Sequence, residues 1–249
     1  SAFDALKIAQ ANPDKRVVFL GVGFETTAPT IAAAILAACE MKVPNFLVAC
    51  AHKTVPAALE ALMNIEQVQI SGFLLPGHVS VILGRQAYQS FFHRYQVPSV
   101  VAGFEPTDIL EAVRRLVDQI EKGQPQLDNA YIRAVSEDGN PKARAVMDTV
   151  FEPVDAVFRG IGLIPGSGLR IRPAFAAHDA AIQIPVKVPE SKEPAGCACG
   201  DILTGAKTPP ECRLFRRACT PENPIGPCMV SSEGTCAAYY RFHPQTTTR

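Results

Sequence analysis

The sequence has 249 residues and is 47% apolar, enough to bury a sizeable core in one large domain or two smaller ones. Lys plus Arg and Asp plus Glu both number 24, so no long-range field favours nucleic acid or an anionic membrane, and neither is an expected partner. The longest apolar stretches, Val17 to Phe24 and Ile31 to Cys39, reach less than half of the roughly 20 residues a membrane-spanning helix needs.

The chain opens SAFDALKIAQ, with no initiator Met, basic n-region or apolar h-region, and reads as part of a longer cytoplasmic protein. Ala2 to Ala11 has a helical pattern, Arg16 to Val22 that of a strand, Thr30 to Met41 a helix and Phe46 to Ala51 a strand. Pro56 to Ile65 is a helix with Pro in its first turn, Gly72 to Leu75 a strand, Ile82 to Tyr95 a helix and Ser99 to Gly103 a strand. Thr107 caps a last helix that ends near Gly123. Apolar strands separated by helices predict an α/β fold with a parallel sheet covered by helices on both faces. We place this domain at residues 1–125.

Residues 126–185 read as a continuation and connection. They hold a strand candidate at Tyr131 to Val135, a helix candidate at Pro141 to Phe151 and the run GIGLIPGSGLRIR. Gly160 to Gly168 lacks the Lys-Ser/Thr ending of a phosphate-binding loop and the context of a dinucleotide motif, so we read it as a tight turn. His52, His93 and His178 have no partners at ligand spacing, and Cys39 lies in an Ala-rich helical pattern; these read as core or surface residues.

Residues 186–249 form a third region, Pro-rich and expected to be loop-rich. Six cysteines fall there, at 197, 199, 212, 219, 228 and 236, with intervening gaps of 1, 12, 6, 8 and 7 residues. Such a segment buries little apolar surface and needs a covalent or metallic staple. Zinc knuckles would show C-x2-C pairs, which are absent, and a disulfide framework belongs to oxidising compartments. A [4Fe-4S] cube takes four thiolates arriving from separate directions, leaving two cysteines over, and spacing does not select which four.

The tail motifs CxCGDILxGxKxPxxCxLF and CTPxxPxGPCMVSSEGxCAAYYRF resemble the C-terminal region of HypD-type hydrogenase maturation proteins. GVGFETTAPT (Gly21 to Thr30), GFLLPGHVSVILG (Gly72 to Gly84), VAGFEPTDIL (Val101 to Leu110) and FEPVDAVFRGIGLIPGSGLRIR (Phe151 to Arg172) extend the resemblance over nearly the whole chain.

The resemblance implies a scaffold and redox protein in assembly of the Fe(CN)2CO centre of [NiFe] hydrogenases, without conventional enzymatic turnover. It implies a small C-terminal domain with a [4Fe-4S] cluster on Cys197, Cys212, Cys219 and Cys236, beside a redox disulfide of Cys199 and Cys228 that relays electrons. The family's N-terminal domain, which holds the Fe(CN)2CO unit, has no counterpart in this sequence. Expected partners are a HypC-type chaperone and a HypE-type cyanide donor with HypF.

Phe24 to Pro29 follows a strand and opens a helix, so Thr27 can cap it; the family motif assigns Glu25, Thr26 and Thr27 to a functional cleft instead. His78, after the third strand, can transfer protons, and Glu105 follows the fourth, so three loops are expected to present Glu25, His78 and Glu105 on one side of the sheet. The rival readings are a zinc-stabilised docking module and a nucleotide-binding α/β transferase.

Overall fold

The computed structural model describes residues 1–66, 68–187 and 194–243. The chain divides into two compact units: residues 1–60, 71–156 and 164–187 form one, and residues 61–70, 157–163 and 188–249 the other.

The first unit is mixed α/β. Its elements are α1 (Ala2–Ala11), β1 (Val17–Gly21), α2 (Ala28–Glu40), β2 (Phe46–Cys50), α3 (Val55–Met63), β3 (Phe73–Pro76), α4 (Gly77–Leu83), α5 (Gln89–Tyr95), β4 (Ser99–Ala102), α6 (Pro106–Lys122), β5 (Leu127–Asn129), α7 (Pro141–Val150), β6 (Phe151–Phe158), β7 (Gly162–Ile171) and α8 (Ala180–Gln183). The tails of α3 and of the β6–β7 hairpin belong to the second unit. Four of the strand predictions hold to within a residue or two, because apolar runs bounded by turn residues are the strongest local signal in a parallel sheet.

The single sheet expected from the sequence is replaced by pieces. β1 pairs in parallel with β2, from Val17 opposite Phe46 to Gly21 opposite Cys50, while β3, β4 and β5 form a separate parallel sheet in that order. β6 and β7 make a third, two-stranded sheet; a three-residue connection is too short for a crossover, so it is an antiparallel hairpin. Helical cover is also incomplete: Val17 and Phe19 pack into the core with α1 and α2, but Val18 and Leu20 on the opposite face of β1 are 39% and 71% exposed.

Three local expectations are corrected. The predicted Ile82 to Tyr95 helix breaks at Gly84 (φ +81°), where a tighter turn over Arg85–Tyr88 intervenes before α5. The break lets Arg85 and Gln86 N–H donate to the carbonyls of Ser136 and Glu137, and a Cβ at Gly84 would lie 2.2 Å from Glu137 O. Gly84→Ala is therefore expected to lower the unfolding free energy by on the order of 3 kcal/mol in urea titration, since it combines a left-handed backbone with a backbone clash.

The strand predicted at Tyr131 to Val135 is a turn; pairing occurs earlier, at Leu127–Asn129. Asn129 closes the turn with its side chain, accepting from Tyr131 N–H at 2.9 Å and donating to Val135 O at 2.9 Å. The Gly160 to Gly168 run is mostly strand β7, with the turn confined to residues 159–161 and Gly160 at φ +89°.

The caps also differ. Thr27 occupies the N-cap of α2, but its hydroxyl donates back to Phe24 O at 3.3 Å and caps nothing. Glu105, not Thr107, precedes α6, with Pro106 in the first turn, where the missing N–H costs nothing. Gly123 ends that helix in the left-handed conformation (φ +62°), as the sequence suggests.

The second unit is built from short pieces: α9 (Cys199–Leu203), a tight turn at Pro209–Glu211, α10 (Pro227–Val230) and α11 (Thr235–Phe242). Within residues 194–243 the ladder pairing is limited, among the described residues, to one bridge between Phe215 and Cys219. Phe215 stands edge-on to both Tyr239 and Tyr240 at 6.1 Å, and Arg216 lies over the Tyr240 ring at 4.5 Å while donating to Tyr240 O. No described helix is long and apolar enough to cross a membrane.

Candidate functional site

Five of the six clustered cysteines lie in or within two residues of the second unit's short elements, and Cys219 sits in the bridge to Phe215. Cys199 opens α9, Cys212 follows the 209–211 turn, Cys228 lies in α10 and Cys236 in the first turn of α11. Five of the six are buried, packed with Ile202, Phe215, Met229 and Ala237, while Cys197 is half-buried against them.

The sulfurs form a connected group. Cys228 Sγ lies 3.1 Å from Cys236 Sγ and also hydrogen-bonds with Cys199, so Cys228 has two sulfur neighbours. Cys197 is close enough to Cys199, Cys212 and Cys219 for their charges to act on it. Cys219 Sγ accepts from Ile225 N–H at 3.4 Å, and Cys212 Sγ donates to Gly196 O at 3.9 Å. Gly226 makes room for this packing: a Cβ there would fall 2.6 Å from Cys197 Sγ.

Burial, with the neighbouring sulfurs, pushes the Cys197 thiol above its ordinary pKa. At Cys228 the hydrogen bond with Cys199 lowers the pKa, but that with Cys236, burial and the charges of Cys236 and Cys197 outweigh it and carry the thiol up to about 12. Negative charge is thus disfavoured in this core unless a cation compensates it. Among the described residues, no three Cys, His, Asp or Glu side chains close on one point as ligands of a single ion. A cube taking its thiolates from separate directions does not need them to. The sulfur-rich donor set, the N–H to Cys219 and the glycine cradle at Gly226 fit such a cluster.

In the first unit the predicted residues lie in the segments that follow β1, β3 and β4. Glu25 is 2% exposed and accepts from Val55 N–H at the start of α3, at 3.0 Å to Oε1 and 3.3 Å to Oε2. Burial raises its carboxyl pKa to about 7 against the opposing backbone hydrogen bonds. It lines a cavity of about 320 Å³ with Thr54, Pro56, Leu83, Met147 and Phe151. Thr26 is half-buried and Thr27 exposed in the same turn.

His78 and Glu105 are brought together at the ends of β3 and β4. The His78 ring packs on Phe104 with centroids 4.5 Å apart, and Glu105 pairs with Arg133 at 3.1 Å. No hydrogen bond or ion pair joins Glu25 to either residue among the described residues.

Sequence reasoning missed the residues that organise this edge. Arg133 grips Asp108 with two bonds of 2.6 Å and lies over the Tyr131 ring at 4.6 Å; these partners are 25 and 2 residues away, with no periodicity to mark them. It also missed Cys50 and His52, whose spacing of two in an extended segment places both on one face. Cys50 Sγ lies 3.4 Å from His52 Nδ1 and donates to Leu169 O at 3.1 Å. Burial lowers the His52 pKa to about 4. His52 and His178 are core residues and His93 is on the surface.

A parallel α/β unit with polar groups after its strands, together with a unit whose core gathers six cysteines, defines a class of protein: a thiol-rich α/β protein. The profile of the HypD family, described as the Hydrogenase formation hypA family, matches residues 1–243, and the chain belongs to that family. It is 45% identical over 252 residues to the hydrogenase maturation factor HypD of Cupriavidus necator, an alignment covering 97% of this chain and 66% of that protein. The HypD of Azotobacter vinelandii is 44% identical over 251 residues, covering 98% of this chain and 66% of the relative. A putative hydrogenase expression/formation protein of Methanocaldococcus jannaschii is 41% identical over 244 residues, with 97% and 67% covered. The chain thus spans about two thirds of the length of the curated relatives it matches.

Proposed function

We propose that this chain serves hydrogenase maturation as the cysteine-bearing part of a scaffold on which the Fe(CN)2CO unit, its cargo, is assembled. The observation that carries this reading is the gathering of six cysteines in one core, five of them buried, in a unit with almost no other regular structure.

Cys197, Cys212, Cys219 and Cys236 would hold a [4Fe-4S] cluster, which supplies one-electron transfer when bound. Cys199 and Cys228 are the chain's own two-electron store, closing to a disulfide and opening to two thiols, the pairing that the family resemblance implies. Met229, Ile202 and Phe215 exclude water from these sulfurs. Glu25 holds or releases a proton beside its cavity, and His78 and Glu105 present polar groups where cargo or a partner docks, with Thr26 and Thr27 completing the turn before α2. The partners are a HypC-type chaperone and a HypE-type cyanide donor supplied by HypF.

Anaerobic purification followed by iron, acid-labile sulfide and zinc analysis tests this reading. The expected result is about four iron and four sulfide per chain, the stoichiometry of one cube. Stoichiometric zinc with negligible sulfide would establish the docking-module alternative.

A further inference from the structure

The loop that joins Cys212 to Cys219 carries Arg213, Arg216 and Arg217 and no acidic residue. Backbone hydrogen bonds tie it to both cysteines: Phe215 N–H donates to Cys212 O at 3.1 Å, Cys219 N–H to Leu214 O at 2.9 Å and Arg216 N–H to Cys219 O at 3.2 Å. Phe215 is buried beneath it and bridges to Cys219. The loop is thus a fixed piece of surface anchored at each end on a buried thiol.

Its three guanidiniums divide by role. Arg216 lies over the Phe215 and Tyr240 rings at 5.5 and 4.5 Å and donates to Tyr240 O at 2.9 Å and His243 O at 2.5 Å, which clamps the loop to the end of α11, where Arg241 is exposed. Arg213 and Arg217 are exposed and, among the described residues, neither pairs with a carboxylate. In the first unit Arg85, Arg114, Arg115, Arg133, Arg170 and Arg172 each do. Glu222 is the one acidic residue between Cys212 and Cys228, so positive charge gathers over these two cysteines although the whole chain is neutral. Arg213 adjoins Cys212 and Arg217 is two residues from Cys219, so each Cα lies within about 8 Å of a proposed ligand's, at ~3.8 Å per residue.

We infer that this loop is the docking site of an acidic one-electron carrier protein. Arg213 and Arg217 meet carboxylates of the carrier, and the hydrogen-bonded backbone from 212 to 219 is the short route inward. The inference rests on the cluster reading above and names the side on which electrons enter. One electron leaves the reduced carrier and reduces the cluster by one; no bond forms or breaks and no proton moves, so the buried thiols need no opening to solvent. Exposed charges of this kind act mainly on the rate of productive encounter, because they steer an oppositely charged partner and are screened by salt.

The test follows cluster reduction by stopped-flow absorbance in the anaerobically purified chain, with a reduced acidic [2Fe-2S] ferredoxin as the probe. At low salt, Arg213→Gln/Arg217→Gln should slow reduction about tenfold, and the difference should vanish in about 1 M salt, where the screening length is only about 3 Å. Reduced methyl viologen, a small cation that needs no docking surface, should reduce both proteins at rates within about twofold of each other. Arg94→Gln/Lys142→Gln removes the same charge from exposed positions of the first unit and should leave the ferredoxin rate unchanged. Equal ferredoxin rates in the wild type and in Arg213→Gln/Arg217→Gln with full iron and sulfide, equal slowing by the first-unit pair, or a wild-type cluster that viologen reduces and ferredoxin does not, overturns the docking site. Absence of iron and sulfide from the wild type overturns the cluster reading instead, and the electron route with it.

Discussion

Cys219→Ser is expected to strip iron and sulfide from the purified protein and to unfold the second unit. The reason lies in what that unit lacks. Its helices α9 and α10 have five and four residues, too short to be stable in isolation, and within residues 194–243 one bridge is the whole described ladder pairing. Its buried core consists largely of the cysteines themselves. Ligand bonds would therefore supply folding free energy on the order of 10 kcal/mol, as at other structural metal sites, and losing one thiolate removes much of it. Hydrogen exchange should show amide protection collapsing over residues 197–243, while α2 and α6 of the first unit keep theirs. Cys212→Ser should behave alike, whereas Cys199→Ser should retain its iron. Wild-type iron content in both Cys219→Ser and Cys212→Ser would mean that the ligand set is wrongly assigned.

Stability should fall as pH rises toward neutrality, and Glu25→Gln should remove that dependence. The folded pKa of about 7 lies above the ordinary 4.5 because burial penalises the charged carboxylate. Sign follows directly: the contribution is fully present below the unfolded value, where Glu25 is neutral in both states, and is lost as pH climbs through the folded value. A shift of this size corresponds to on the order of 3 kcal/mol between pH 5 and pH 8. Gln keeps an oxygen to accept from Val55 N–H but carries no charge, so its urea midpoint should change far less over that interval. A variant whose midpoint tracks the wild type across pH 5 to 8 would place the Glu25 pKa near its ordinary value. Near pH 7 the group is partly ionised, the condition in which a carboxyl both gives and accepts protons effectively.

Much of the fold can be read from local pattern alone. β1, β2, β3 and β4 are apolar runs between turn residues, and Gly123 stops α6 where the sequence places its end. Those features depend on neighbours a few positions apart, so sequence order carries them. The six cysteines are equally plain, since so many thiols in a proline-rich tail have few uses.

What sequence order does not carry is pairing between distant segments. Whether β1 joins β3 in one sheet depends on contacts across more than fifty residues, and the strands divide into separate sheets instead. The break at Gly84 is imposed by the 136–139 loop, and the turn at Tyr131 by hydrogen bonds from Asn129. At the sites the same division holds. Glu25, His78 and the cysteines are visible as residue types at strand ends and in a cluster. The burial that raises the Glu25 pKa to about 7, the Arg133 grip on Asp108 and the nearness of Cys228 to both Cys199 and Cys236 exist only once tertiary packing removes water and sets distances. Desolvation and geometry act between groups far apart in sequence, and no local propensity encodes them.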